Sequence, residues 1–173
     1  MTIDPTQTSG PARAGFTLPE AVMAMVILGI AAAGVMLPFS AGASAQAHGV
    51  HKTLAANLAN DLMERIATKP FHDPDGSAYD YLPGPEAGEA TIADFDNVDD
   101  FDGYVESQGQ VSDASAVVIT DPMYANFSRQ VTCSYVYVPQ QNPPTASPNF
   151  ILVSVEVGYQ GRPVVTVSRL VSE

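Results

Sequence analysis

The sequence predicts an α+β fold in which a long N-terminal α-helix, half membrane-spanning and half amphipathic, lies on a C-terminal antiparallel β-sheet. Three observations predict it. Between Ala21 and Ala47 there is no charged side chain, a run that suits a helix in hydrocarbon. Apolar residues then recur every fourth position, at Val50, Leu54, Leu58, Leu62 and Ile66, which places them on one helix face. Toward the C-terminus the period falls from four to two, in β-branched runs separated by turn residues, as strands require. A helix stripe and a half-buried sheet each have an apolar face to hide, and each can cover the other.

Residues 1–15, MTIDPTQTSGPARAG, form a polar leader whose Pro5, Gly10 and Pro11 favour disorder over regular structure. Residues 16–40 form the membrane-spanning helix. Its core, AVMAMVILGIAAAGVMLPF, is 19 residues long, which crosses a bilayer at about 1.5 Å per residue. A secretory signal would place its small-residue cleavage site after the apolar run. Here the small residues come first, so processing belongs between Gly15 and Phe16 and leaves the helix on the mature chain. Arg13 is the sole basic residue before the span, which points the N-terminus toward the cytoplasm and the acidic bulk outward.

Within the span, Gly29, Gly34 and Pro38 weaken the helix, and a kink at Pro38 or a short melted stretch over Phe39–Gly42 is expected. The small residues of GIAAAG let helices approach closely. Glu20 stands alone at the head of this run. A charge at the bilayer centre costs roughly 2.5–3.5 kcal/mol on insertion scales. The carboxylate either snorkels to the interface or serves a purpose inside the apolar environment.

Residues 41–69 continue the helix as an amphipathic segment. Ala55, Ala59 and Met63 flank the stripe, and Asn57, Asn60, Asp61, Glu64 and Arg65 take the other face. KPFHDPDG ends it, because residues before proline avoid the helical region. The helix from Phe16 to Lys69 would be on the order of 80 Å long.

Residues 70–126 are read as an acidic variable loop region. From Asp73 to Asp121 there are 13 acidic residues and no Lys or Arg. DFDNVDDFDGY (94–104) is dense enough in Asp94, Asp96, Asp99, Asp100 and Asp102 to test as a calcium site. Its order fails the EF-hand pattern, since Val98 occupies the third ligand position and Gly103 comes late. Phe95, Val98 and Phe101 at three-residue intervals predict instead a short helical turn with its apolar side packed down. No metal is expected. SAVVIT (115–120) is a candidate extra strand.

Residues 127–173 form the sheet. FSRQVTCSYVYV (127–138) alternates, with Val131, Cys133, Tyr135 and Tyr137 on one side; NFILVSVEVGY (149–159) and PVVTVSRLV (163–171) follow. A tight turn containing Gly161 joins the last two, and the proline-rich PQQNPPTASPN is a loop.

The net charge of −12 repels phosphate backbones, so nucleic acid is not an expected partner. The acidity reads as a solvated face. A lone cysteine, Cys133, forms no internal disulfide, and its apolar alternating surroundings point to packing. A Cys–His nucleophile pair with His48, His51 or His72 has no local support. Neither a catalytic centre nor a cofactor is expected.

GFTLPE (15–20) followed by about twenty apolar residues resembles the prepilin cleavage and N-methylation motif of type IV pilins and type II secretion pseudopilins. Gly15, Phe16, Thr17, Leu18 and Glu20 match the usual pattern, and Pro19 fills its variable position. The resemblance implies a prepilin peptidase as partner, cleavage after Gly15, methylation of the new amino group of Phe16, and transfer of the helix from the inner membrane into a pilus or pseudopilus. It implies that Glu20 pairs with the Phe16 amine of a neighbouring subunit, an attraction that offsets the burial of both charges. LANDLMERIATKPFHDP, TIADFDNVDDFDGY and the C-terminal strands resemble minor pilins of the mannose-sensitive haemagglutinin type (MshD-like), PilV-like and pseudopilin I-like proteins. The lack of a C-terminal cysteine pair departs from many adhesive pilins. The leading expectation is therefore a minor pilin or pseudopilin. The alternative is a single-pass membrane-anchored periplasmic binding module that does not polymerise.

Overall fold

The computed structural model describes residues 15–74, 82–137 and 148–172. Helix α1 runs from Leu18 to Ala67, 50 residues in all. Thr17 precedes it with Glu20 three positions on, the spacing of a capping box. The Thr17 carbonyl accepts from the Ala21 amide at 3.1 Å, and the Thr17 hydroxyl donates to Glu20 Oε2 at 3.4 Å. The C-terminal end tightens through the Lys69 amide to the Ile66 carbonyl at 3.0 Å. The Thr68 hydroxyl donates to the Arg65 carbonyl at 2.7 Å, and Pro70 follows. The orphan carbonyls of the last turn thus find donors.

Pro38 lies inside α1, and Phe39–Gly42 are helical. The melted stretch considered for those residues does not occur. Proline removes one helical donor, and the turns around it hold without it.

Two compact units divide the chain, residues 1–46 and 47–173. In the first, the described helical residues are exposed except Ala21, which is half-buried. The described large apolar side chains between Phe16 and Met36, and Phe39, point to solvent, from 52% at Val22 to 83% at Phe16. A helix this apolar on every side normally lies in a core or a membrane.

In the second unit the sheet has four antiparallel strands in the order β1-β2-β3-β4: β1 Val105–Glu106, β2 Phe127–Val136, β3 Phe150–Tyr159 and β4 Arg162–Ser172. The three long strands are those the sequence predicts, except that β2 ends at Val136 and Tyr137, expected on the apolar side, is 60% exposed. The pairing sets Val131 opposite Val155, Cys133 opposite Val153 and Tyr135 opposite Ile151, so one face is apolar across the ladder. Gln160 and Gly161 link β3 to β4 with φ of 51° and 74°. Both are positive, as a two-residue type I′ turn needs.

Against that face lie Ala55, Leu58, Ala59, Leu62, Met63 and Ile66 of α1, together with Phe71, Phe95, Val98, Phe101 and Val111. The predicted stripe is the buried one, with one correction. Val50 is 49% exposed, so the packed stripe begins later, at the half-buried Leu54.

Two further corrections concern the region before β2. SAVVIT is not a strand: Val118 makes only an isolated bridge with Ser112. The added strand is instead β1, with Val105 opposite Gln130 and Glu106 opposite Arg129. Past β1 the margin of β2 is satisfied without a strand. The Val131 amide donates to the Tyr104 carbonyl at 2.9 Å, and the Gly103 amide to the Val131 carbonyl at 3.2 Å. The Cys133 amide donates to Asp102 Oδ1 at 2.7 Å. The leader 1–14, and the proline-rich loop except Pro148 and Asn149, lie outside the described residues.

Candidate functional site

The N-terminal motif occupies the entrance to α1. Gly15, Phe16 and Thr17 precede the helix, and Leu18, Pro19 and Glu20 form its first turn. All six are exposed. A Cβ added at Gly15 would meet nothing within 4 Å, so the packing of this chain does not require a glycine there. Glu20 sits in the first turn, where the free amides and the helix dipole favour a negative charge. Its position is therefore helix-compatible in its own right, and the Thr17 contact holds the side chain over the N-terminus. Further along the same unit, Pro38, Phe39, Gly42, Ala43 and Gln46 line a shallow, largely apolar concavity of about 540 Å³.

The second unit holds a buried polar centre. Arg129 and Glu106 face each other across β1 and β2, 3% and 5% exposed, with Arg129 Nε donating to Glu106 Oε2 at 2.5 Å. The other arms of the guanidinium donate to the Leu58 carbonyl at 3.1 Å and to the Ser112 carbonyl at 2.7 Å. Glu106 Oε1 accepts from the Tyr104 hydroxyl at 3.0 Å and from the Ser112 hydroxyl at 2.5 Å. Burial, then the Glu106 charge, pushes the Tyr104 hydroxyl up to about 12. Each charged atom of the pair thus has a donor or acceptor, the condition under which a buried ion pair persists. The centre staples α1, β1, β2 and the loop at Ser112 together. Its signal was present in the sequence: Arg129 falls in phase with the inward residues Phe127, Val131 and Cys133, a place where arginine needs a buried partner.

The acidic run 94–104 packs as its three-residue spacing predicts. Phe95, Val98 and Phe101 are buried, and Asp99–Phe101 form a 3-10 turn. The rings of Phe95 and Phe101 meet edge-on with centroids 5.0 Å apart. Its carboxylates do not converge on one another. Asp94 Oδ2 accepts from the Thr91 amide and hydroxyl, Asp99 from the Tyr135 hydroxyl at 2.8 Å, and Asp102 from the Cys133 amide. Asp100 Oδ2 accepts from the amides of Asp96 and Asn97 at 2.8 and 2.9 Å.

Asp100 instead meets Glu86 and Glu89. One oxygen from each of the three lies within 4.8 Å of the others. Burial raises Glu86 to about 8, and its contacts with Glu89 and Asp100 push the same way. Linear spacing gives no sign of this trio, because Asp100 joins it from a separate turn.

Cys133 is buried, and its thiol donates to the Val98 carbonyl at 3.5 Å. Burial, with the negative charges of Asp102, Asp99 and Asp100, pushes it up to about 12, the opposite of an activated nucleophile. His51 stacks on Tyr159 at 4.0 Å, His72 lies edge-on to Phe71 at 4.9 Å, and His48 is exposed.

No curated protein and no solved structure matches the chain. Residues 11–36 match the family model for the prokaryotic N-terminal methylation motif, and with the apolar helix that follows, the match supports a type IV pilin-like chain suited to membrane anchoring.

Proposed function

We propose that this chain is a structural subunit, a minor pilin or pseudopilin, that is cut after Gly15, methylated on Phe16 and assembled through α1 into a fibre. One observation carries the reading most: the described large apolar side chains between Phe16 and Met36, and Phe39, are exposed in the single chain, within and just after the matched segment. Such a surface needs a bilayer or other copies of the same helix. Glu20 then receives its role. In a bundle of apolar helices its carboxylate attracts the amine of Phe16 on the next subunit, and this pairing sets the axial register. The concavity at Pro38, Phe39 and Gly42 offers the neighbouring helix a place to seat. Gly15, not required by its own packing, meets the need of the peptidase for a small residue before the scissile bond. Within the MshD-like and PilV-like group, the acidic loop region would face partners.

The test compares wild type with Glu20→Ala in the native host. Mass spectrometry of the mature N-terminus should find methylated Phe16 in the wild type. Sheared fibres should contain wild type and at least tenfold less Glu20→Ala, at equal membrane levels. Equal incorporation removes the role given to Glu20. A wild-type chain that stays in the membrane while fibres form without it supports the non-polymerising binding module instead.

A further inference from the structure

We propose that Glu86, Glu89 and Asp100 form a calcium site that fastens the acidic loop to the turn Asp99–Phe101. Asp100 is fully buried. Its Oδ2 is held by two backbone amides, while its Oδ1, also buried, meets no hydrogen-bond donor among the described residues unless a carboxyl of the trio carries a proton. Glu86 Oε2 is in the same condition. Buried oxygens of this kind are rare in folded proteins and call for a partner. Glu89 is itself held in place, its Oε2 accepting from the Glu86 amide at 3.0 Å.

The described residues supply no local cation to answer them. No Lys or Arg occurs between Asp73 and Asp121. The basic side chains packed near this region are engaged elsewhere: Lys69 donates to the Phe95 carbonyl, Arg65 to the Ile92 carbonyl and Arg129 to Glu106. A single proton shared within the trio would leave two negative charges together. A divalent ion discharges them and satisfies both orphaned oxygens.

The donor set chooses the ion. Three carboxylates and no nitrogen or sulfur suit a hard cation. The oxygens lie within 4.8 Å of one another, which matches the width of a calcium shell built from bonds of about 2.3–2.6 Å. Calcium also tolerates the irregular geometry of loop ligands, whereas magnesium demands a near-octahedral shell and keeps its waters.

This inference does not rest on fibre assembly, because binding is read on the unassembled chain. Full-length protein in detergent is titrated with calcium chloride by calorimetry, with the thermal midpoint followed in parallel. One calcium per chain is expected, with a dissociation constant on the order of 10⁻⁴–10⁻³ M and a raised midpoint. Glu86→Gln and Glu89→Gln should each weaken binding at least tenfold without lowering the calcium-free midpoint. These variants keep the backbone contacts of Asp100, so a folding defect does not obscure the result. No heat and no shift up to about 10 mM calcium overturns the proposal. Undiminished binding in both variants does the same, since it puts the ion elsewhere. An equal response to magnesium chloride overturns the choice of calcium.

Discussion

At Cys133 a small side chain reports on the whole core. Its thiol is pushed up from its ordinary value near 9.0 to about 12, first by burial and then by three aspartates. The folded state therefore keeps a proton that the unfolded state releases. The stability tied to this proton is complete below about pH 9 and is lost as pH climbs toward 12. A thiol reagent at pH 8 should leave native protein unlabelled and label it fully in denaturant. Denaturation midpoints should fall between pH 9 and 11, less steeply in Cys133→Ala. The fall persists in that variant because Tyr104 is raised in the same direction, to about 12. The packing role of Cys133 was legible from its place in an alternating run. The Glu86–Glu89–Asp100 trio was not, because its members are joined by a loop whose path no periodicity encodes.

Among the elements, the stripe from Leu58 to Ile66 and the three long strands were legible because helix and strand periods differ and each repeats several times. β1 was not legible: two residues carry no period, and its place depends on Glu106 meeting Arg129. SAVVIT misled for the opposite reason, its β-branched composition being stronger than its opportunities for pairing. The Glu106–Arg129 centre explains why β1 exists at all. Removing one member leaves a buried charge without its counter-ion, so Arg129→Met should cost about 3–5 kcal/mol. The double variant Glu106→Gln/Arg129→Met should regain much of that loss, because it removes both charges. Urea midpoints of the two variants decide the matter, and equal losses would show that the pair does not act as a unit.

For the whole molecule, charge and grease are segregated along the chain. The span from Ala21 to Ala47 carries no charge, while the stretch from Asp73 to Asp121 holds 13 of the 19 acidic residues. Exposed ion pairs such as Arg169–Glu64 contribute at most about 1 kcal/mol, so self-repulsion governs the response to salt. Raising sodium chloride from about 10 mM to about 300 mM shortens the Debye length severalfold and should raise the thermal midpoint of the detergent-solubilised chain. A fall would mean that attractive surface pairs dominate. The matched motif made the N-terminal segment legible, since a contiguous motif leaves a linear signature where packing leaves a distributed one. The Asp102 side chain standing in for a strand beside Cys133 has its own consequence. Along that flank a newcomer finds no row of vacant amides to zip onto, so one route to ribbon-like clumping is shut. A protein whose greasy rod is already bare gains from such discretion at this one margin of its sheet.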